Sequence, residues 1–245
     1  MTVGLFIPCY VNQFYPGAAI ATLRLLQKLG VNVVYPPKQT CCGQPMANSG
    51  YEHLSHGCNE LFVENFAGFD YIVAPSASCV LHIKDHLHSD VAPADAVFIR
   101  ENIYELVEFL TDILKVTKLN ARFPHKVGLH QSCHGLRGLH LAKMSELVGT
   151  PFSKPEKLLS MVDGLELVAL ERKDECCGFG GTFCVSEEAV SVKMGIDRMR
   201  DHTKSGAEYI TSPDLSCLMH LEGILHRNQS PLKIIHIAEI LNAEL

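Results

Sequence analysis

The sequence predicts an α/β protein made of two tandem repeats, each a small parallel-sheet βαβα unit with cysteines at the carboxyl ends of its strands. Three observations carry this expectation. First, three blocks recur in one order: Val3-Gly4-Leu5 with Cys9 returns as Val127-Gly128-Leu129 with Cys133, and Cys41-Cys42-Gly43 as Cys176-Cys177-Gly178. The third, Asp70-Tyr71-Ile72 with Pro75, Ser78 and Cys79, returns as Glu208-Tyr209-Ile210 with Pro213, Ser216 and Cys217. The offsets are 124, 135 and 138 residues, which points to a duplication with an insertion in the second copy, assigned to residues 151–161 with Pro151 and Pro155. Second, short apolar runs alternate with stretches of helical periodicity, the pattern of a parallel sheet with right-handed crossovers. Third, every cysteine of the repeated blocks follows a strand, where ligands of such sheets gather.

The elements follow in order. Val3 to Pro8 is an apolar run with little room for a helix and predicts a buried strand; Pro16 to Leu29 carries apolar residues at helical spacing before the stop at Gly30. Val31 to Tyr35 is the next strand, ended by Pro36-Pro37. Asn48 to Phe66 reads as a helix, Tyr71 to Ala74 as a strand, Ser78 to Leu87 as a helix, Val97 to Ile99 as a strand and Ile103 to Leu114 as a helix. The second copy places strands near 127–131, 165–170 and 208–212. Two domains are expected, residues 1–120 and 121–245. The join near 115–126, with Lys115, Lys118, Arg122, Pro124 and Lys126, reads as a solvated linker.

Composition narrows the function. Lys and Arg number 21 against 27 Asp and Glu, a net charge of −6 with no basic block, which argues against a nucleic-acid partner. The first 24 residues show neither a charged n-region nor a cleavage site, and Pro8 and Pro16 interrupt any apolar span, so neither a signal peptide nor a membrane span is expected. The expected compartment is the reducing cytoplasm. Ten cysteines there are too few for a disulfide scaffold and point to metal or redox chemistry.

Four thiols converging from three loops in each copy supply soft donors, which suit iron–sulfur clusters or zinc. The two expected sets are Cys9, Cys41, Cys42 and Cys79, and Cys133, Cys176, Cys177 and Cys217. Structural zinc sites usually take ligands as close pairs, whereas here distant single cysteines, 32 and 37 residues away, join an adjacent pair. A strained Cys41-Cys42 disulfide with thiol–disulfide activity is a further alternative. Composition alone would give Cys-Cys-Gly roughly 0.03 times in this chain, so two copies at equivalent places are a strong signal.

The pattern Cys, Cys-Cys-Gly, Cys, present twice across nearly the whole chain, resembles the cysteine-rich CCG domain found in heterodisulfide reductase and in the iron–sulfur subunits of glycolate and anaerobic glycerol-3-phosphate oxidation. With Pro75-Ser76-Ala77-Ser78-Cys79 and Cys176-Cys177-Gly178-Phe179-Gly180-Gly181-Thr182-Phe183, it is most similar to the lactate utilization protein A family. The resemblance implies an iron–sulfur subunit that passes electrons from L-lactate oxidation toward the respiratory chain with two companion iron–sulfur proteins. It also implies a non-catalytic or jointly catalytic role, and attachment to the inner face of the membrane, if any, through those companions. A heterodisulfide-reductase-like or glycolate-oxidase-like redox subunit and a zinc-holding assembly module are the alternatives. The fuller family motif ends in Cys-x-x-Cys and holds a non-cubane cluster with five thiols; here the first of that pair is Ser76 in one copy and Asp214 in the other. Four thiols per site suffice for [4Fe-4S], up to two in the chain, with Asp214 a candidate oxygen ligand.

Other residues carry weaker signals. Cys58 and Cys184 stand outside the motif and read as small buried hydrophobes. Gly178, Gly180 and Gly181 lack dinucleotide-loop spacing and read as backbone donating N–H groups to sulfur. His130 and His134 flank Cys133 and suggest a ligand or proton-coupled role against chance proximity. Ser78 and Ser216 either bond cluster sulfur or cap the helix that follows.

Overall fold

The computed structural model describes residues 1–244. The first half runs β1 (Thr2–Leu5), α1 (Cys9–Phe14), α2 (Pro16–Lys28), β2 (Asn32–Val34), α3 (Gln44–Asn48), α4 (His56–Phe66), β3 (Tyr71–Ala74), α5 (Ala77–His86), α6 (Pro93–Asn102), β4 (Ile103–Glu105) and α7 (Leu106–Glu108). A π-helical turn, Phe109–Ile113, prolongs α7. The second half runs β5 (Lys126–Leu129), a π-helical turn His134–Gly138, α8 (Lys154–Leu159), β6 (Glu166–Leu167), α9 (Phe183–Ser186), α10 (Glu188–Lys204), β7 (Tyr209–Ser212), α11 (Leu215–Arg227), β8 (Lys233–His236) and α12 (Ile237–Leu241).

Two four-stranded sheets result, in the orders β2-β1-β3-β4 and β6-β5-β7-β8, with every pair parallel. The registers match across the copies: Val3 lies opposite Tyr71, and Val127 opposite Tyr209. In each sheet the chain moves first to one side of the opening strand and then to the other. The resulting reversal of order opens a crevice beyond the carboxyl ends of the first and third strands, the place where ligands bind in open parallel sheets. The segments carrying Cys9 and Cys79, and Cys133 and Cys217, leave those strand ends.

The halves share one core. An apolar cluster holds Val3, Leu25 and Phe109 together with Val127, Leu218 and Ile237, and α12 packs on α2 while α7 packs on α8. A second cluster centres on Phe6, Phe62, Phe66 and Ile72 of the first half. The connection between the halves is only partly solvated. Its basic side chains are exposed, but Val116, Leu119 and Ala121 are buried in the shared core.

Several expected elements are corrected. Val97 to Ile99 lies inside α6 rather than in a strand, because Pro93 opens a helix there and Ala96 and Ile99, three apart, are the buried positions. The strand is Ile103–Glu105, at the start of the stretch expected as helix. The helix expected over 48–66 breaks at Gly50, whose φ of 81° ends α3. The extra length of the second copy lies mainly in the irregular segment 139–153, ahead of α8, and α1 and β8 had no counterpart in the reading of the sequence.

Candidate metal centre

In the first half, Cys9 opens α1, Cys41 and Cys42 sit in the loop after β2, and Cys79 stands in the first turn of α5. Gln39 anchors that loop to β1, accepting from the Ile7 N–H at 2.7 Å and donating to the Leu5 carbonyl at 3.0 Å. The four thiols influence one another in sequence, Cys9 with Cys41, Cys41 with Cys42 and Cys42 with Cys79. The second half repeats it as Cys133 to Cys176 to Cys177 to Cys217. There the loop is held by Arg198, which is fully buried, donates to the Arg172 carbonyl and pairs with Asp201 at 3.3 Å. All ten cysteines are free thiols.

The glycine after each cysteine pair makes this geometry possible. Gly43 and Gly178 hold φ of 88° and 90°, and each donates its N–H back to the first cysteine of the pair, at 3.4 Å to Cys41 Sγ and 3.3 Å to Cys176 Sγ. The turn lets adjacent residues direct both sulfurs into one group. Hydrogen bonds from neighbouring thiols, Cys42 then Cys9, hold Cys41 far below the ordinary thiol range; Cys133 then Cys177 do the same for Cys176. The donors Cys9, Cys42, Cys133 and Cys177 are pushed up for the same reason, reinforced by burial. Cys217 is lowered to about 6, first by the bond from Cys177, against burial, with His130 acting in the same sense. Cys41 in the first quartet, and Cys176 and Cys217 in the second, are thus pushed toward the thiolate even without metal, and N–H donation to sulfur is the kind of support that iron–sulfur and zinc thiolates receive.

The sequence predicts two groups of thiols; the structure opens both onto one cleft of about 640 Å³, lined by all eight motif cysteines. Cys184, expected as a buried hydrophobe, is half-buried on the wall of that cleft and donates to the Gly181 carbonyl at 3.0 Å. Cys58 lies in α4 and is not among the lining residues. His134 lines the cleft; His130 is 1 % exposed beneath it.

At the positions where the fuller motif would place another cysteine, Ser76 and Asp214 meet. They form an antiparallel bridge across the two halves and cap α5 and α11 respectively. Asp214 accepts from the Ser216 N–H at 3.0 Å and the Ser216 hydroxyl at 2.7 Å, and across the halves from the Tyr10 hydroxyl at 3.3 Å and the Ser78 N–H at 2.7 Å. Its oxygens are thus engaged by the protein as a joint between the copies. Ser78 and Ser216 serve the same joint: Ser216 bonds Asp214, and the Ser78 hydroxyl lies 3.3 Å from that of Ser76.

The donor set suits a soft metal. It consists of clustered thiols, some of them pushed toward the thiolate, backbone N–H donors, and a buried imidazole whose nitrogens have no hydrogen-bond partner. The group His130, Cys177 and Cys217 brings its ligand atoms within 4.8 Å of one another.

Comparison with known proteins bears on this site. The cysteine-rich domain family CCG matches residues 3–84 and 127–222, one match on each half. A lactate utilization protein A from an Exiguobacterium species is 42% identical over 98% of this chain and 96% of its own. The lactate utilization protein A of Bacillus subtilis is 38% identical over 99% of this chain and 100% of its own. Among solved structures, a hypothetical protein from Helicobacter pylori is 12% identical with a TM-score of 0.60, over 98% of this chain and 48% of that one, a likeness of fold alone.

Proposed function

Because this chain belongs to the cysteine-rich CCG domain family, in the branch of the lactate utilization A proteins, we propose that it is an iron–sulfur electron-transfer subunit of an L-lactate oxidation system. It relays electrons from lactate toward the respiratory chain together with companion iron–sulfur proteins. The observation that carries this reading is the pair of thiol quartets, one in each half, opening on a common cleft. Residues 1–120 and 121–245 each contribute one site, and at each a cluster of the [4Fe-4S] type supplies one-electron redox chemistry.

The chain's own residues prepare and protect that chemistry. Cys9, Cys41, Cys42 and Cys79 hold the first group and Cys133, Cys176, Cys177 and Cys217 the second. Gly43 and Gly178 stabilise sulfur charge through their N–H groups. Cys42, Cys79, Cys177 and Cys217 are buried, which limits access of water and oxygen to the inner thiols, while Cys9 is exposed. Among the described residues no helix is long and apolar enough to cross a membrane.

The test is purification without air, followed by assay of iron and acid-labile sulfide and a reductive titration. Iron and sulfide in both halves with a reversible one-electron transition supports the relay. Stoichiometric zinc in protein made with ample iron, and no redox transition, selects the assembly module instead.

A further inference from the structure

The repeat makes Phe6 and His130 equivalent positions. Each follows the first strand of its sheet, and each donates its backbone N–H to the third strand, Phe6 to the Val73 carbonyl at 2.9 Å and His130 to the Thr211 carbonyl at 2.8 Å. In the first half this position is plain core: the Phe6 ring stands edge-on to Phe62 and Phe66, with centroids 4.9 and 5.7 Å away. In the second half it carries an imidazole that is 1 % exposed, with neither Nδ1 nor Nε2 hydrogen-bonded. Burying a polar ring with both nitrogens unpartnered is costly, and such a group calls for a partner. The surroundings change in the same direction. Gln131 Oε1, Ser132 Oγ and Thr211 Oγ1 are also buried without partners, at positions where the first half has Ile7, Pro8 and Val73.

The missing partner is defined by what lies beside the ring. A nitrogen of His130 and the sulfurs of Cys177 and Cys217 lie within 4.8 Å of one another, a separation that small side-chain adjustments close around one metal ion, with bonds of about 2.3 Å to sulfur and about 2.0–2.1 Å to nitrogen. The first half has no imidazole at that position. We propose that His130 is a ligand of the metal centre in the second half, which thereby has a mixed thiolate and imidazole donor set, while the centre in the first half is held by sulfur alone. The two centres are then chemically distinct in spite of the repeat. This inference rests on the reading above that the quartets bind metal.

The test uses the full chain carrying heavy-nitrogen-labelled histidine, loaded anaerobically with iron and sulfide, reduced, and examined by pulsed electron paramagnetic resonance. Expected is the hyperfine coupling of a directly bound imidazole nitrogen at one of the two centres, lost in His130→Phe, which copies the first half, and in His130→Gln, which keeps a polar side chain. Independently, Co²⁺ titrated into metal-free protein gives ligand-field spectra of one all-sulfur site and one mixed site. His130→Gln weakens the mixed site by at least about tenfold and leaves the other unchanged. Metal bound without any nitrogen coupling, or a coupling that survives both substitutions, overturns the role of His130 and leaves metal binding standing. Uptake of neither iron nor cobalt by the unaltered protein overturns both.

Discussion

Gly43 and Gly178 are each constrained twice, once by a positive φ and once by space. A Cβ on Gly43 would approach the Ser55 Cβ to 2.9 Å; one on Gly178 would meet the Ser191 carbonyl oxygen at 2.7 Å. The second obstacle is backbone and cannot turn aside. Gly43→Ala is therefore expected to cost about 1–3 kcal/mol, and Gly178→Ala to lie at or above the top of that range, measured as shifts in denaturant midpoint. At the same scale, Ser76 and Asp214 occupy equivalent cap positions with unequal loads. Asp214→Ala leaves buried donors from both halves unpaired and is expected to cost about 3 kcal/mol, against about 1 kcal/mol for Ser76→Ala. Equal costs would show that the joint at Asp214 adds nothing to its cap. The thiols and their glycines were legible as a motif because their spacing is local and repeated. Asp214 read as a candidate ligand because its partners, Tyr10 and Ser78, lie some two hundred and some one hundred and forty positions away in the chain, beyond the reach of local spacing.

Among elements, α12 shows how a cap ties stability to pH. His236 Nδ1 accepts from the Ala238 N–H at 3.2 Å, and Glu239 accepts from the His236 N–H at 3.0 Å, closing a capping box on a helix that packs against α2. Burial lowers His236 to about 4. Between the ordinary value of about 6.5 and that value the unfolded chain binds the extra proton and the folded one does not, so stability falls as pH drops through this window and levels off below it. The loss is up to about 3 kcal/mol for this residue. Thermal melts of the unaltered protein and of His236→Asn, which keeps a capping side chain but does not titrate, are expected to diverge in slope across the window. Parallel curves would remove His236 as the cause. Elements were legible where periodicity was clear: Tyr71–Ala74 and α2 match the reading closely. Val97-Phe98-Ile99 misled because three consecutive apolar residues fit a short strand as well as one turn of helix. Pro93 at the first helical position was the discriminating signal.

At the scale of the molecule, the repeat does not make two independent bodies. Tyr15 donates to Glu222 at 2.7 Å, Thr182 to the Asn48 carbonyl at 3.1 Å, and one apolar cluster draws on both halves. Calorimetry is expected to show a single cooperative transition with agreement between calorimetric and van't Hoff enthalpies; two resolved transitions would contradict a shared core. The repeat told how each half is built and gathered its thiols at one sheet edge. It could not tell how the halves face each other, since that follows from α12 on α2 and α7 on α8, and so the common cleft and the place of Cys184 on its wall were not legible. The contrast of Phe6 with His130 was present in the alignment of the copies, as a polar residue at a core position. Whether each half keeps its own metal is decided most directly by iron stoichiometry after anaerobic reconstitution of Cys42→Ala and Cys177→Ala, compared with the unaltered protein. Each variant is expected to retain about half of the iron, with the centre of the intact half spectroscopically unchanged. Full iron in both variants, or none in either, would contradict two quartets acting as separate sites.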